Sequence, residues 1–126
     1  MARILIVDDD FEMIGILTQI LTHDGHVVES AGDPAAGMKK TREFGPELII
    51  LDYHMPGDTG AHLFESLRRN NSTKATPVLF MSGEASPEQI LSEISDVEGS
   101  KFLPKGSPLA ELREALKELL EWKRAG

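Results

Sequence analysis

The sequence of 126 residues contains no cysteine, no long apolar run and few basic residues relative to acidic ones. Without cysteine it can form no disulfide, zinc–thiolate site or cysteine nucleophile, which fits a reducing compartment. No stretch approaches the roughly 18 apolar residues that a membrane-spanning helix needs. Met1-Ala2-Arg3 leads directly into a short apolar run that ends in acids, unlike a secretory signal. We therefore expect a cytoplasmic protein.

The charge of the chain limits its partners. Lys and Arg number 13 against 21 Asp and Glu, a formal net charge of −8. This charge repels nucleic acid and membrane surfaces, so neither is expected as a direct partner, whereas a divalent cation could be held. A hydrophobic content of 40% and a charged content of 27% are ordinary for a globular protein. Without an internal repeat or a linker-like segment, we expect residues 1–126 to form a single domain.

Short apolar runs alternate with amphipathic stretches along the whole chain. Three of these runs, ILIV, LIIL and VLFM, lack the alternation of a half-exposed strand and suit strands buried on both faces of a parallel sheet. The strand candidates are residues 3–7, 26–30, 48–51, 77–81 and 101–103.

Helical periods lie between the apolar runs. The first and last predicted helices carry apolar stripes at Met13, Ile14, Leu17, Ile20 and Leu21 and at Leu109, Leu112, Leu116 and Leu119. Asp33-Pro34, Ser86-Pro87 and Ser107-Pro108 each predict an N-cap followed by proline at the first helical position. A helix over residues 60–70 is expected to turn Arg68 and Arg69 outward near its end. The order predicts a (βα)5 doubly wound α/β fold, a five-stranded parallel sheet with helices on both faces.

Polar residues follow four of the five predicted strands. Ligands of an open parallel sheet gather outside the carboxyl ends of its strands, so these residues should converge on one rim. They are Asp8-Asp9-Asp10 after the first strand, Asp52 after the third, Ser82-Gly83-Glu84 after the fourth and Lys105 after the fifth. Clustered carboxylates repel unless a cation lies among them, and oxygen ligands without His or Cys favour Mg²⁺ or Ca²⁺.

This set of groups suits phosphoryl chemistry. A carboxylate such as Asp52 can attack phosphorus and form an acyl phosphate once a metal and a lysine neutralise the incoming charge. Lys105 can hold a phosphoryl oxygen, and Ser82 offers a hydroxyl donor from the other side. Asp10 is interpreted as a solvated loop residue or a helix cap, because the site needs only two acids after the first strand.

Taken together, Asp8-Asp9, the segment from Asp52 to Pro56 with Gly60, Ser82-Gly83 and Lys105 resemble the receiver domain of two-component response regulators, the CheY-like superfamily. The resemblance covers essentially the whole chain and implies a flavodoxin-like fold. It also implies that Asp52 accepts a phosphoryl group from a sensor histidine kinase or a histidine phosphotransfer protein.

The same resemblance implies a metal site and a switch. Asp9, Asp52 and the backbone carbonyl of His54 would bind Mg²⁺, with Asp8 acting mostly through water and Mn²⁺ or Ca²⁺ as substitutes. Ser82 would move to bond the phosphoryl group, and Phe102 would swing inward with it. The His54 side chain and Glu84, at the site mouth, either tune hydrolysis of the acyl phosphate or are plain surface residues.

The implied protein is a signalling module that promotes its own phosphorylation and dephosphorylation rather than an enzyme acting on other substrates. Its output would be a changed surface formed by helix 4 (about residues 87–97), strand 5 and helix 5. That surface would serve a downstream protein, an appended output domain or a phosphorylation-dependent homodimer.

One position departs from the family pattern. The family usually follows its lysine with proline through a cis peptide bond, whereas Gly106 follows Lys105 here. A cis bond before a residue other than proline costs about 2.5–4 kcal/mol. We therefore expect either a trans bond in a loop reshaped by glycine, or a cis bond held by surrounding contacts.

Two other functions compete with that of a receiver domain. A phosphatase or phosphotransferase of the haloacid-dehalogenase type needs a second acid two residues past the nucleophile, where His54 stands, and a cap domain that this chain lacks. A degenerate receiver serving only as a scaffold is disfavoured by the intact acids, hydroxyl and lysine.

Overall fold

A computed structural model describes residues 1–55, 58–83, 86–94 and 97–122. Five parallel strands form its main sheet, in the order β2-β1-β3-β4-β5. The strands are Arg3–Val7 (β1), Val27–Ala31 (β2), Leu48–Asp52 (β3), Val78–Ser82 (β4) and Ser100–Pro104 (β5). The predicted fold class is thus confirmed, although four of the five strands have one or both ends shifted by one residue. The strand order reverses at β1, so β1 and β3 enclose the crevice where such sheets bind ligands.

Five helices cover the two faces of this sheet. They are Phe11–His23 (α1), Pro34–Phe44 (α2), Gly60–Arg69 (α3), Pro87–Glu93 (α4) and Leu109–Glu121 (α5). One apolar cluster joins the sheet to α2, α3 and α4, and a second joins it to α1 and α5. Neighbouring strand residues such as Ile4 and Leu5 belong to opposite clusters and are both fully buried. Burial on both faces explains the unbroken apolar runs of the sequence.

Three helix starts follow the predicted chemistry and one does not. The carboxylates of Asp10 and Asp33 and the hydroxyl of Ser86 accept hydrogen bonds from backbone amides in the first turns of α1, α2 and α4. The prediction for Ser107-Pro108 was wrong by one residue, because α5 begins at Leu109 with Pro108 at its N-cap. The Ser107 hydroxyl instead donates to the carbonyl of Pro104, at 2.6 Å.

The fourth helix is shorter than the sequence pattern predicted. It ends at Glu93, and Ile94 already has an extended backbone, with φ −117° and ψ 147°. Val97 therefore lies outside the helix, although Ile90 and Ile94 are buried as expected. The helix has 7 residues, and Ile90 and Ile94 are the buried apolar residues among its described positions and its C-cap. Its contact with the sheet is therefore small.

Two residues expected on particular faces lie elsewhere. Arg68 was predicted to point outward, but it is only 8% exposed. Its guanidinium lies 4.6 Å from the centre of the Phe64 ring and donates to the carbonyl of Thr76, at 2.7 Å. Loop carbonyls at the amino edge of the sheet thus draw this cation inward. Leu109 was expected in the core of α5, yet it is 38% exposed.

In the described part of the chain, none of the helices combines the length and apolar character needed to cross a membrane.

Candidate functional site

The acids after β1 have three different environments. The backbone amide of Asp8 donates to Ala31 in β2, at 3.0 Å, and its carboxylate accepts from the amide of Asp10, at 2.9 Å. These bonds hold the Asp8 side chain in a buried position, 3% exposed, whereas Asp9 faces solvent. Asp10 accepts from the amides of Glu12 and Met13, so of its two interpretations the structure confirms the helix cap, at the start of α1.

The carboxylate of Asp52 is buried at the end of β3. Just beyond it, the backbone amide of Gly60 donates to the carbonyl of Tyr53, at 2.7 Å, so that α3 begins directly against the end of the strand. A Cβ atom on Gly60 would lie 2.5 Å from the Asp52 carbonyl oxygen, and only glycine permits this approach.

Three carboxylates come together at this rim. Oxygen atoms of Asp8, Asp9 and Asp52 all lie within 4.8 Å of one another. Two of the three side chains are buried and Asp9 is exposed, so the cluster opens toward solvent on one side. A set of carboxylate oxygens without imidazole or thiolate fits a hard divalent cation that retains water ligands. The acidic cluster could therefore bind a metal ion.

Lys105 reaches the same cluster from β5. Its Nζ atom lies 3.1 Å from Oδ2 of Asp8 and 3.5 Å from Oδ2 of Asp52. The described residues contain no cis peptide bond, and Gly106 adopts φ +85°, a value that favours glycine. The first of the two expected loop geometries is therefore confirmed, and the ammonium is aimed at the acids without the usual proline. The Lys105 amide also donates to the Ser82 carbonyl, at 2.9 Å, which fixes the loop to β4.

The electrostatics of the site favour the neutral form of Asp52. Burial raises its pKa, the charge of Asp8 raises it further and Lys105 lowers it, which leaves the pKa at about 7. For Lys105, burial lowers the pKa, but the hydrogen bond to Asp8 and the charge of Asp52 outweigh this effect and raise it above its ordinary value. Lys105 therefore stays charged, while Asp52 is only partly ionised at neutral pH, and added positive charge nearby would increase its ionised fraction.

The structure positions the remaining predicted site residues but does not test their roles. Ser82 is buried at the end of β4, on the same rim. His54 is exposed, and its ring packs edge-on against that of Tyr53, at 5.0 Å. Phe102 pairs in register with Phe80 and is half-buried against the cluster under α2, α3 and α4. Pro56 and Glu84, also singled out in the sequence, lie outside the described residues.

Two features of the site were not anticipated from the sequence. One is that Lys105 lies nearer to Asp8 than to Asp52. The other is the steric reason for glycine at position 60, since the motif contains this glycine without showing what its Cβ would contact. The position of Lys105 could have been predicted in part. Strands β1 and β3 are neighbours in a doubly wound sheet, so a long side chain at this edge can reach the acids that follow both strands.

Known proteins are similar to this chain in sequence. The response regulator receiver domain family matches residues 4–117. The chain is 39% identical over 82 residues to protein-glutamate methylesterase/protein-glutamine glutaminase 2 of Xanthomonas oryzae pv. oryzae, which covers 64% of this chain and 22% of that protein. The chain thus spans about a fifth of the length of the curated relatives it matches.

Solved structures of similar fold cover nearly the whole chain. Chemotaxis protein CheY4 of Vibrio cholerae superposes with a TM-score of 0.85 and 29% identity, over 94% of this chain and 98% of that one. A CheY-like receiver domain protein from Methanospirillum hungatei gives a TM-score of 0.81 and 29% identity, over 94% and 93%. Together with the acids, hydroxyl and lysine on one rim, these matches show that the chain belongs to the response regulator receiver domain family and is a phosphoacceptor domain of two-component signalling.

Proposed function

We propose that Asp52 is the residue that accepts the phosphoryl group and that Mg²⁺ is the cation used. The observation that carries this proposal is the position of the Asp52 carboxylate, which lies within 4.8 Å of oxygen atoms of Asp8 and Asp9 and 3.5 Å from the Lys105 ammonium. Asp8 is also buried and lies nearer to Lys105, but its carboxylate already accepts a hydrogen bond from the backbone amide of Asp10, whereas Asp52 is the last residue of the central strand β3.

The proposed reaction is a phosphoryl transfer between side chains. An Asp52 oxygen attacks the phosphorus of a phosphohistidine on a kinase or phosphotransfer protein, a P–O bond forms, and the P–N bond breaks with the imidazole as leaving group. Lys105 then holds a phosphoryl oxygen, and the Ser82 hydroxyl donates to another. Later attack of water on phosphorus releases inorganic phosphate and restores the carboxylate. In this sense the domain promotes its own phosphorylation and dephosphorylation.

The metal would be held by Asp9, Asp52 and the backbone carbonyl of His54, with Asp8 acting through water. When bound, Mg²⁺ supplies positive charge between the carboxylates and the incoming phosphoryl oxygens. The raised pKa of Asp52, about 7, supports this requirement, because a protonated carboxyl is a poor nucleophile. Mn²⁺ and Ca²⁺ offer similar oxygen-preferring chemistry and are proposed as substitutes.

The proposed readout runs from Ser82 and Phe102 to the surface formed by α4, β5 and α5. Movement of the Ser82 hydroxyl toward the phosphoryl group leaves room for Phe102, which already lies against the cluster beneath α4. The short α4 is the element best suited to shift, because it buries few side chains. The proposed binding partner of this surface is a downstream protein or an appended output domain, in the cytoplasm.

The assignment of Asp52 is tested by incubating the protein with Mg²⁺ and acetyl phosphate and measuring the intact mass. We expect one added phosphoryl group on the wild-type chain and on Asp10→Asn, whose acid only caps α1. We expect no added mass on Asp52→Asn. An unchanged yield in Asp52→Asn would contradict the assignment, and rapid turnover of many small phosphate esters would indicate an enzyme instead.

A further inference from the structure

Two surface grooves flank β5, the edge strand of the sheet. The first lies between β5 and α4 and has a volume of about 250 Å³. Its lining is almost wholly apolar and includes Phe80, Ile90, Leu91, Ile94, Val97 and Phe102. Leu91 is 54% exposed and Val97 is 45% exposed, so the rim offers apolar surface that the chain itself leaves in water.

The second groove lies on the other side of the same strand, between β5 and α5, with a volume of about 380 Å³. Leu103 and Ala115 contribute apolar surface to it, and its polar lining consists of Glu111, Glu114, Glu118 and Lys101. Lys101 forms a salt bridge with Glu118, and the hydrogen bond from this lysine lowers the pKa of the glutamate. Three acids against one base leave the groove with a negative charge.

The two grooves adjoin each other across β5, because Lys101 and Phe102 line both of them. A segment lying along β5 would therefore meet an apolar slot on one side and carboxylates on the other. We propose that this face binds a basic amphipathic segment of a partner protein. The segment places an apolar side chain in the α4-side groove and Lys or Arg side chains beside Glu111 and Glu114. This inference rests on the proposed function, because it specifies the kind of partner that binds the proposed output surface.

A second copy of this chain is a poor occupant of the same face. A two-fold interface through this face would bury two copies of the same acidic groove in one contact, and each chain carries a formal charge of −8. The charge of the face thus argues against the homodimer that the sequence left open and in favour of a cationic partner.

The test uses the full chain and a short fluorescent peptide whose leucines and lysines occupy opposite faces of a helix. A peptide with glutamate in place of each lysine is the matched control. Anisotropy is measured with and without Mg²⁺ and beryllofluoride. We expect the Leu-Lys peptide to bind at least about tenfold more tightly than the Leu-Glu peptide, an affinity ratio worth about 1.4 kcal/mol. The affinity for the Leu-Lys peptide should fall as salt is raised.

Matched variants localise the binding. Leu91→Ser should weaken it about tenfold, whereas Ile16→Ser, on α1 and 53% exposed, should not. Glu111→Gln and Glu114→Gln should each weaken it about two- to fivefold, and Glu43→Gln, an exposed glutamate of α2, should leave it unchanged. Equal losses in the control variants would show unspecific charge attraction and overturn the proposal. Dimerisation with beryllofluoride through these same residues would also overturn it.

The outcome is separable from that of the proposed function. Phosphorylation of Asp52 without binding of the Leu-Lys peptide to either state would remove this inference and leave the proposed function intact. Peptide binding that depends on Leu91 and Glu111, in a chain that takes no phosphoryl group, would uphold the partner chemistry and refute the proposed function.

Discussion

The Nζ atom of Lys105 lies closer to Asp8 than to Asp52, at 3.1 Å against 3.5 Å between the nearest oxygens. One ammonium therefore contacts two buried carboxylates and offsets part of their mutual repulsion across the ends of β1 and β3. The lysine reaches them through a trans peptide bond before Gly106, so a glycine at positive φ serves where the family usually has proline.

Removal of the ammonium should slow phosphorylation. We expect Lys105→Ala to lower the rate of Asp52 phosphorylation by acetyl phosphate at least about tenfold, because no other described cation contacts both carboxylates. The rate is measured by intact mass against time. Lys40→Ala is the control, since Lys40 lies in α2 and forms a salt bridge with Glu29 of β2, away from the site. Equal rates in wild-type protein and Lys105→Ala would contradict the assigned role.

The raised pKa of Asp52 predicts a stability that depends on pH. Its ordinary value is 3.8 and its value in the folded protein is about 7, so between these pH values the folded state binds more protons than the unfolded state. The free energy of unfolding that this group contributes therefore falls as pH rises from about 4 to 7. We expect Asp52→Asn to stabilise the protein by about 1–4 kcal/mol at pH 8 and by much less at pH 4.

Denaturant unfolding of both proteins at the two pH values provides this measurement. Titrating groups that do not interact with Asp52 cancel in the difference between wild type and variant. Addition of Mg²⁺ at pH 8 should stabilise the wild type and have little effect on Asp52→Asn. A gain from Asp52→Asn that is the same at both pH values would show that the carboxylate is not held in a destabilising site.

The exposed acid of the cluster should control metal affinity. We expect Asp9→Asn to weaken Mg²⁺ binding at least about tenfold, because one charged ligand becomes neutral. Asp10→Asn should bind the cation normally, since asparagine caps a helix about as well as aspartate. Calorimetric titration with Mg²⁺ and Mn²⁺ gives the affinities. Parallel losses in both variants would indicate a general effect of charge rather than ligation.

The contact between Gly60 and the acceptor strand predicts a steric effect on stability. Gly60→Ala would bring its Cβ to 2.5 Å from the Asp52 carbonyl oxygen, and backbone must move to relieve the contact. We expect a loss of about 1–3 kcal/mol in the free energy of unfolding, together with slower phosphorylation. Gly15→Ala in α1 is the matched control. It has no heavy atom within 4 Å of its added Cβ and should stabilise the helix by about 0.5–1 kcal/mol.

Much of the fold was predictable because local signals and burial agreed. The unbroken apolar runs required strands covered on both faces, and the cap residues Asp33 and Ser86 marked helix starts that the structure retains. The acids and the lysine could be assigned to one rim because all strands of such a sheet end on the same side. Apolar periodicity alone could not show that Leu109 is exposed or that α4 stops at Glu93.

The sequence by itself determined the parallel sheet, the family and the groups that meet at the carboxyl edge, since these depend on periodicity and on the order of residues along the chain. Only the tertiary structure decided that Lys105 contacts Asp8 most closely, that Arg68 turns inward and that Gly60 must lack a side chain. Each of these depends on how closely two segments distant in the chain approach each other. That distance is set by the packing of the whole domain, and neither segment carries a sequence pattern that indicates it.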